Sequence, residues 1–230
     1  FAGGESTQNE AVSVDFDGSG DYLTTNQAYI NVSSSFCVET WVKFDDISNQ
    51  DSTNMAMICS QYDYGDGSAN GRMLFGGQSN NIVVRINGGT VELETGSNSV
   101  TDGQWYHVAW TWDGTTHRLF LNGILKDTAD SSDIPVVLTG TNTEIGGQAT
   151  LTPDYQLNGQ LSNFRITQGQ AIYTSSFKPS TTPLTTTSQG ATGSNVKLLC
   201  CNNSTLTNDD GSVGTISTAG NPTASTDSPF

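Results

Sequence analysis

Residues 101–123, TDGQWYHVAWTWDGTTHRLFLNG, constrain this chain more than any other stretch. Over residues 105–112 the side chains alternate, with Trp105, His107, Ala109 and Thr111 on one face and Tyr106, Val108, Trp110 and Trp112 on the other. Asp113-Gly114 and Asn122-Gly123 supply the positive-φ positions of primed hairpin turns, so they bracket a returning strand over residues 117–121. This is a β-meander. Three of the four tryptophans lie in it, and a strand that is bulky on both faces needs cover on both. A central strand of a two-sheet sandwich has that cover.

Short runs of similar character recur along the chain, over residues 11–16, 36–44, 55–61, 72–76, 82–87, 90–95, 124–128, 143–147, 156–167 and 196–201. Short strands punctuated by Gly, Asn, Asp and Pro are the pattern of an all-β sandwich, and 230 residues suit one such domain. The predicted architecture is therefore all-β: a two-sheet antiparallel sandwich over residues 11–201. A polar arm (1–10) precedes it, and an extended strap (202–230) lies against the domain or a partner. Residues 170–179 read as a helical turn or hook ending at Pro179. Residues 180–195 are Ser, Thr, Gly and Pro and would look disordered alone. The late strand 196–201 is expected to pair back beside 11–16 and close the sandwich.

Charge narrows the partners. Eight Lys and Arg against 23 Asp and Glu give a net charge of −15, although only 13% of residues are charged. Eight cations cannot build a phosphate-binding stripe, so nucleic acid and anionic membrane are not expected partners. Such a surface suits high salt, where screening weakens self-repulsion, and is compatible with a marine setting. No run of about 18 apolar residues is present to span a bilayer. The four cysteines match neither a disulfide framework nor a paired zinc motif. Cys37 and Cys59 read as buried thiols, bridged only if their strands are neighbours, and Cys200-Cys201 reads as one thiol in and one out.

Asp15, Asp17, Ser19 and Gly20 match the opening of an EF-hand loop, but the closing Glu would fall at Asn26. The segment reads instead as a Gly-rich hairpin turn, with a looser oxygen site left open. The loop over residues 61–72 carries Tyr62, Asp63, Tyr64, Asp66, Asn70 and Arg72. Aromatic faces stack on the apolar faces of sugar rings, while acids, amides and Arg read hydroxyl groups or hold a calcium that does. A second rim candidate, over residues 147–155, carries Asp154 and Tyr155. Each loop can equally be a long solvated turn, and calcium remains open as a ligand.

VDFDGSGDYL (14–23), FCVETWVKF (36–44), DGQWYHVAWTWDG (102–114), LFLNGIL (119–125) and LNGQLSNFRI (157–166) together resemble a laminin-G-like member of the concanavalin A-like lectin/glucanase superfamily. The resemblance implies a jelly-roll sandwich. NFRITQGQAIYTSSFKPSTTPL (163–184) and VKLLCC (196–201) are similar to modules of marine bacteriophage virion proteins, implying a tail-fibre, appendage or capsid-decoration role at the virion surface. Retaining glucanases of the superfamily carry a Glu-x-Asp-x-x-Glu strand, which is absent here. Glu92 and Glu94 read as solvent-facing, Glu39 as a lone acid, and His107 and His117 as packed or surface strand residues. The expectation is a non-catalytic lectin-like module, working as a homo-oligomer or many-copy array on cell-surface polysaccharide among other virion proteins. The alternative is a purely structural decoration or assembly protein.

Overall fold

The computed structural model describes residues 12–50, 54–61, 73–86, 90–130, 140–149, 155–211 and 214–230. Two antiparallel sheets face each other. The first contains β1 (Ser13–Asp17), β3 (Phe36–Phe44), β8 (Trp105–Trp112), β9 (Thr116–Leu121), β10 (Ile124–Asp130), β12 (Asn158–Gln168), β13 (Val196–Cys200) and β15 (Thr223–Ser225). Its order is β10-β9-β8-β3-β12-β1-β15, with β13 also on β12. The second contains β2 (Tyr22–Thr25), β4 (Ala56–Gln61), β5 (Met73–Gln78), β6 (Asn81–Ile86), β7 (Thr90–Glu94), β11 (Glu144–Ile145) and β14 (Ile216–Ala219), in the order β14-β2-β11-β4-β5-β6-β7.

The predicted meander sits inside the first sheet, where β8 pairs with β3 from Phe36↔Trp112 to Lys43↔Trp105 and with β9 on its other side. Its two faces have different covers. Val108 and Trp110 enter the core between the sheets, with Phe36, Val38, Val42, Phe75 and Ile166. Ala109 packs on the outer face with Cys37, Phe120 and Tyr173. The cover on that face is the stretch after β12, which runs back over the sheet without any helical turn at 170–179. Tyr173 and Phe177 stack at 3.5 Å, and both rings meet Phe120 edge-on. Residues 180–195, unpromising as sequence, form two 3-10 turns, and Leu184 and Ala191 pack against Val196 and Leu199.

Several sequence expectations change. The turn after β1 is not a hairpin, because β1 and β2 belong to opposite sheets. The chain crosses the sandwich there, braced by the buried Asp21 carboxylate, which accepts the N–H groups of Asp17 and Asn221. The strand at 196–201 does not pair with β1. β12 is 11 residues long, so β1 takes its first half and β13 its second, along the same edge. The strand that pairs with β1 is β15. The last segment therefore does more than lie along the domain: β14 adds to β2 and β15 to β1, one strand in each sheet. Finally, both Cys200 and Cys201 point into the core. Cys37 and Cys59 are buried free thiols in different sheets.

Glu39 is no lone acid. It is fully buried on the outer face of the first sheet. Arg165 donates to it from Nε at 2.9 Å and Nη2 at 2.5 Å, the Tyr173 hydroxyl donates at 2.8 Å, and His107 Nε2 lies 3.2 Å away. Burial, the largest influence, pushes the Glu39 carboxyl up. The bond to His107 and the charge of Arg165 outweigh it and hold the group below its ordinary range. Arg165 also donates from Nη1 to the carbonyls of Thr185 and Ser188, which ties the covering segment to the sheet.

Candidate functional site

At the rim where β1 ends, β12 begins and β3 ends, Asp17 pairs with Asn158 and Phe44 with Gly159. Loops from both sheets meet there around a cleft of about 200 Å³ lined by Asp17, Gly18, Asp46, Gln50, Asn54, Gln156 and Asn158. The backbone of this rim is held tightly. Asp17 Oδ1 accepts the Ser19 N–H at 2.8 Å. Gly18 has φ 76°, and a Cβ there would lie 2.9 Å from the Asn158 Cβ, so glycine lets the turn close on β12. After Asp46 the chain makes a 3-10 turn, Ile47–Asn49. The Asp102 carboxylate fixes that turn by accepting from the Ile47 N–H at 2.5 Å and the Ser48 hydroxyl at 2.9 Å. Gln50 caps it through its N–H to the Ile47 carbonyl, and its own carbonyl accepts from Ser79. The Asn54 carbonyl accepts from Gln78, and that of Asn158 from the Asp45 N–H.

Two cleft side chains keep an unused acceptor. Gln156 is 4% exposed and donates from Nε2 to the Gln148 carbonyl, while its Oε1 is buried and accepts nothing from the protein. The Gln50 Oε1 is in the same position. Two carboxylates and four carboxamides offer many acceptors and several donors, and no cation is among the described residues of the lining. Such a lining can read hydroxyl groups. On β11, the Glu144 carboxyl is raised by burial, partly offset by the Ala149 N–H and the Ser60 hydroxyl. Among the described residues, no group of three or more His, Cys, Asp or Glu is arranged to hold a metal.

Of the residues singled out in sequence, Tyr62, Asp63, Tyr64, Asp66, Asn70, Arg72 and Asp154 lie outside the described set. Tyr155 is half-buried and packs on Met55, Met57, Leu74 and Val83, on the outer face of the second sheet. The anchors of the two loops stand at opposite ends of β4. Gln61 pairs with Met73, whereas the Gly146 N–H meets the Ile58 carbonyl as the chain runs toward the start of β4, and Gly147 bridges Gln156. Beside the Gln61 end lies a second hollow, of about 170 Å³, lined by Ala28, Ile30, Asn31, Val32, Gln61 and Gly140. Glu94 is exposed at the end of β7, and the side chain of Glu92 lies outside the described set. His107 and His117 are both buried. Sequence reasoning flagged Asp17 but missed Asp46, Gln50, Asn54, Gln156 and Asn158. These are isolated polar residues in separate segments, and only the topology brings them together.

The fold and rim define an all-β two-sheet domain with a polar cleft where strands of both sheets end. The chain belongs to the concanavalin A-like lectin/glucanases superfamily: residues 17–171 match its Laminin_G_3 family model. Among solved structures, a candidate carbohydrate binding protein from Bacteroides ovatus is similar over 94% of this chain and 60% of its own, at 15% identity and a TM-score of 0.62. The botulinum neurotoxin serotype D binding domain is similar over 70% of this chain and 40% of its own, at 16% identity and a TM-score of 0.51. A heptameric SAP-like pentraxin from Limulus polyphemus matches at 18% identity over 70% of this chain and 77% of its own, with a TM-score of 0.49. The chain thus spans about three-fifths of the Bacteroides protein and two-fifths of the toxin domain. No relative was found among the curated proteins.

Proposed function

We propose that this domain is a non-catalytic carbohydrate-binding module that attaches a phage particle to cell-surface polysaccharide. The observation that carries the reading is the rim cleft. Its walls are carboxylates and carboxamides, and two buried amide oxygens, on Gln50 and Gln156, accept nothing from the protein. Carboxylates accept from, and carboxamides both donate to and accept from, the hydroxyl groups of a polyhydroxylated ligand. Tyr155 and Asp154 stand next to the cleft in sequence, and the loop carrying Tyr62, Asp63, Tyr64, Asp66, Asn70 and Arg72 supplies a second candidate rim. The phage setting rests on the resemblance of residues 163–201 to marine virion modules. A shallow site of this kind binds weakly, on the order of 1 mM, so adhesion requires many copies, as in a homo-oligomer or a virion array.

The test is a glycan array probed with multivalently displayed protein, run with calcium and with chelator. Saturable binding that is reduced at least tenfold in Gln50→Ala or Asn158→Ala supports the cleft. Loss in Asp63→Ala or Tyr64→Ala assigns binding to the loop over residues 61–72, and loss with chelator alone adds calcium. A blank array with folded protein favours a structural decoration role.

A further inference from the structure

β13 ends at Cys200, and a second cysteine, Cys201, follows it directly. Along a straight strand neighbouring side chains leave opposite faces, so an extended Cys200–Cys201 step would separate the thiols. Cys201 instead adopts φ 57°, a left-handed conformation uncommon for residues with a Cβ. Both side chains consequently enter the same core. Cys200 is 0% and Cys201 4% exposed, both thiols are free, and their Sγ atoms lie 3.8 Å apart.

The surroundings hold this arrangement in place. Cys200 pairs with Phe164, and the Cys201 carbonyl accepts the Asn163 N–H at 2.9 Å. Asn163 is itself left-handed, at φ 55°. It is pinned through Oδ1, which accepts the Leu184 N–H at 2.7 Å, and through Nδ2, which donates to the Ser162 hydroxyl at 2.8 Å. Two left-handed residues therefore face each other where β12 passes from β1 to β13. The other two thiols have no such neighbour. Cys37 lies among Ala109, Phe120 and Tyr173, and Cys59 lies in the second sheet.

We propose that Cys200 and Cys201 are an oxidative modification site, at which a low-molecular-weight disulfide closes them into a vicinal disulfide. In the first step one cysteine gives its proton to solvent and its thiolate attacks the reagent's S–S bond. One small thiolate leaves and takes up a proton. The neighbouring cysteine then loses its proton, attacks the protein sulfur of the mixed disulfide and displaces the second small thiolate. Two S–H bonds are replaced by one S–S bond, the protein loses two electrons and two protons, and the reagent is reduced to two thiols. The new ring runs Sγ–Cβ–Cα–C–N–Cα–Cβ–Sγ. A straight strand cannot close it; the turned backbone brings the sulfurs to 3.8 Å, and closure to about 2.0 Å then requires the linking peptide to distort, because adjacent Cα atoms lie closer together than in an ordinary disulfide. The thiol of Cys200 is raised by its hydrogen bond with Cys201 and by burial, so the first exchange takes place when the end of β13 opens, and the ring closes as the native turn re-forms and brings the two sulfurs together.

The full chain is unfolded and refolded in oxidised and reduced glutathione, and in parallel with an excess of reductant. Both samples are then denatured, alkylated and weighed. The reductant sample takes four alkyl groups. The glutathione sample is expected to lose two hydrogens and to take alkyl groups at Cys37 and Cys59 alone, with the peptide carrying residues 200–201 becoming reactive only after reduction. Cys201→Ser should abolish the two-hydrogen loss. Alkylation at all four cysteines, a glutathione adduct remaining on Cys200 or Cys201, or a two-hydrogen loss that survives in Cys201→Ser would each overturn the proposal.

Discussion

His117 can be held only as a neutral imidazole. Trp110 and Trp112 stack against it, both at 21°, and the Trp110 Nε1–H donates to its Nδ1 at 3.3 Å, so a proton on that nitrogen would set donor against donor. Burial draws its pKa down to about 4, with only partial opposition from Asp113. As pH falls from the ordinary value of 6.5, the unfolded chain takes up this proton and the folded chain does not until about 4. Stability is therefore lost on acidification through that window, by on the order of 3 kcal/mol. Urea unfolding at a series of pH values should show the slope, and His117→Gln should flatten it. Glu39, held low, adds stability that is lost only at more acidic pH. Its ion pair also separates buried from surface charge. Arg165→Met leaves Glu39 buried without its cation and should cost about 3–5 kcal/mol, much of it recovered in Glu39→Met/Arg165→Met. The Lys43–Asp227 pair is partly exposed, so Asp227→Ala should cost no more than about 1 kcal/mol by the same measurement. The sequence showed Glu39 as a lone acid and did not point to Arg165 as its partner. Their pairing depends on the register Arg165↔Glu39 across β12 and β3, which no local pattern encodes.

At the scale of elements, the long strands could be read directly because alternation reports two-faced burial, as in β3 and β8. β2, β14 and β15 escaped because they are three or four residues long and are recruited mainly through backbone pairing to a neighbour, whereas β11 lies inside the strand expected over residues 143–147. The error over the turn after β1 has a related cause: Gly-rich sequence specifies a reversal but not which sheet the chain enters next. The cover over the outer face was unreadable for another reason, since residues 180–195 contribute few apolar groups and are organised by Arg165. This cover docks at the β9–β10 turn, where the Phe177 N–H donates to the Gly123 carbonyl. Gly123 has φ 75°, and a Cβ there would lie 2.1 Å from the Phe177 carbonyl oxygen. Gly123→Ala should therefore destabilise the domain by about 1–3 kcal/mol. Amide exchange should rise over residues 170–190 while the pairing of β8 with β3 stays protected.

For the whole molecule, composition and charge shaped the expectation of partners but pointed to no site. The cleft draws Asp17 from one sheet, Asp46, Gln50 and Asn54 from a connection between sheets, and Gln156 and Asn158 from the approach to β12. Residues so far apart in sequence carry no shared motif. Because these side chains add little to the core, Gln50→Ala and Asn158→Ala should leave the unfolding midpoint nearly unchanged, and any loss of binding would then report the site itself. The position of β1 also bears on how the protein is made. Its neighbours are β12 and β15, and the contact of Ser13 with Ser225 spans 212 residues of chain. The ribosome must therefore extend the chain past residue 225 before β1 can be enclosed on both sides. Sandwiches dominated by such distant pairings fold in milliseconds to seconds. During synthesis the waiting edge of β1 is open to other chains, so expression at lower temperature or with chaperones should raise the soluble yield more than any stabilising change in the core.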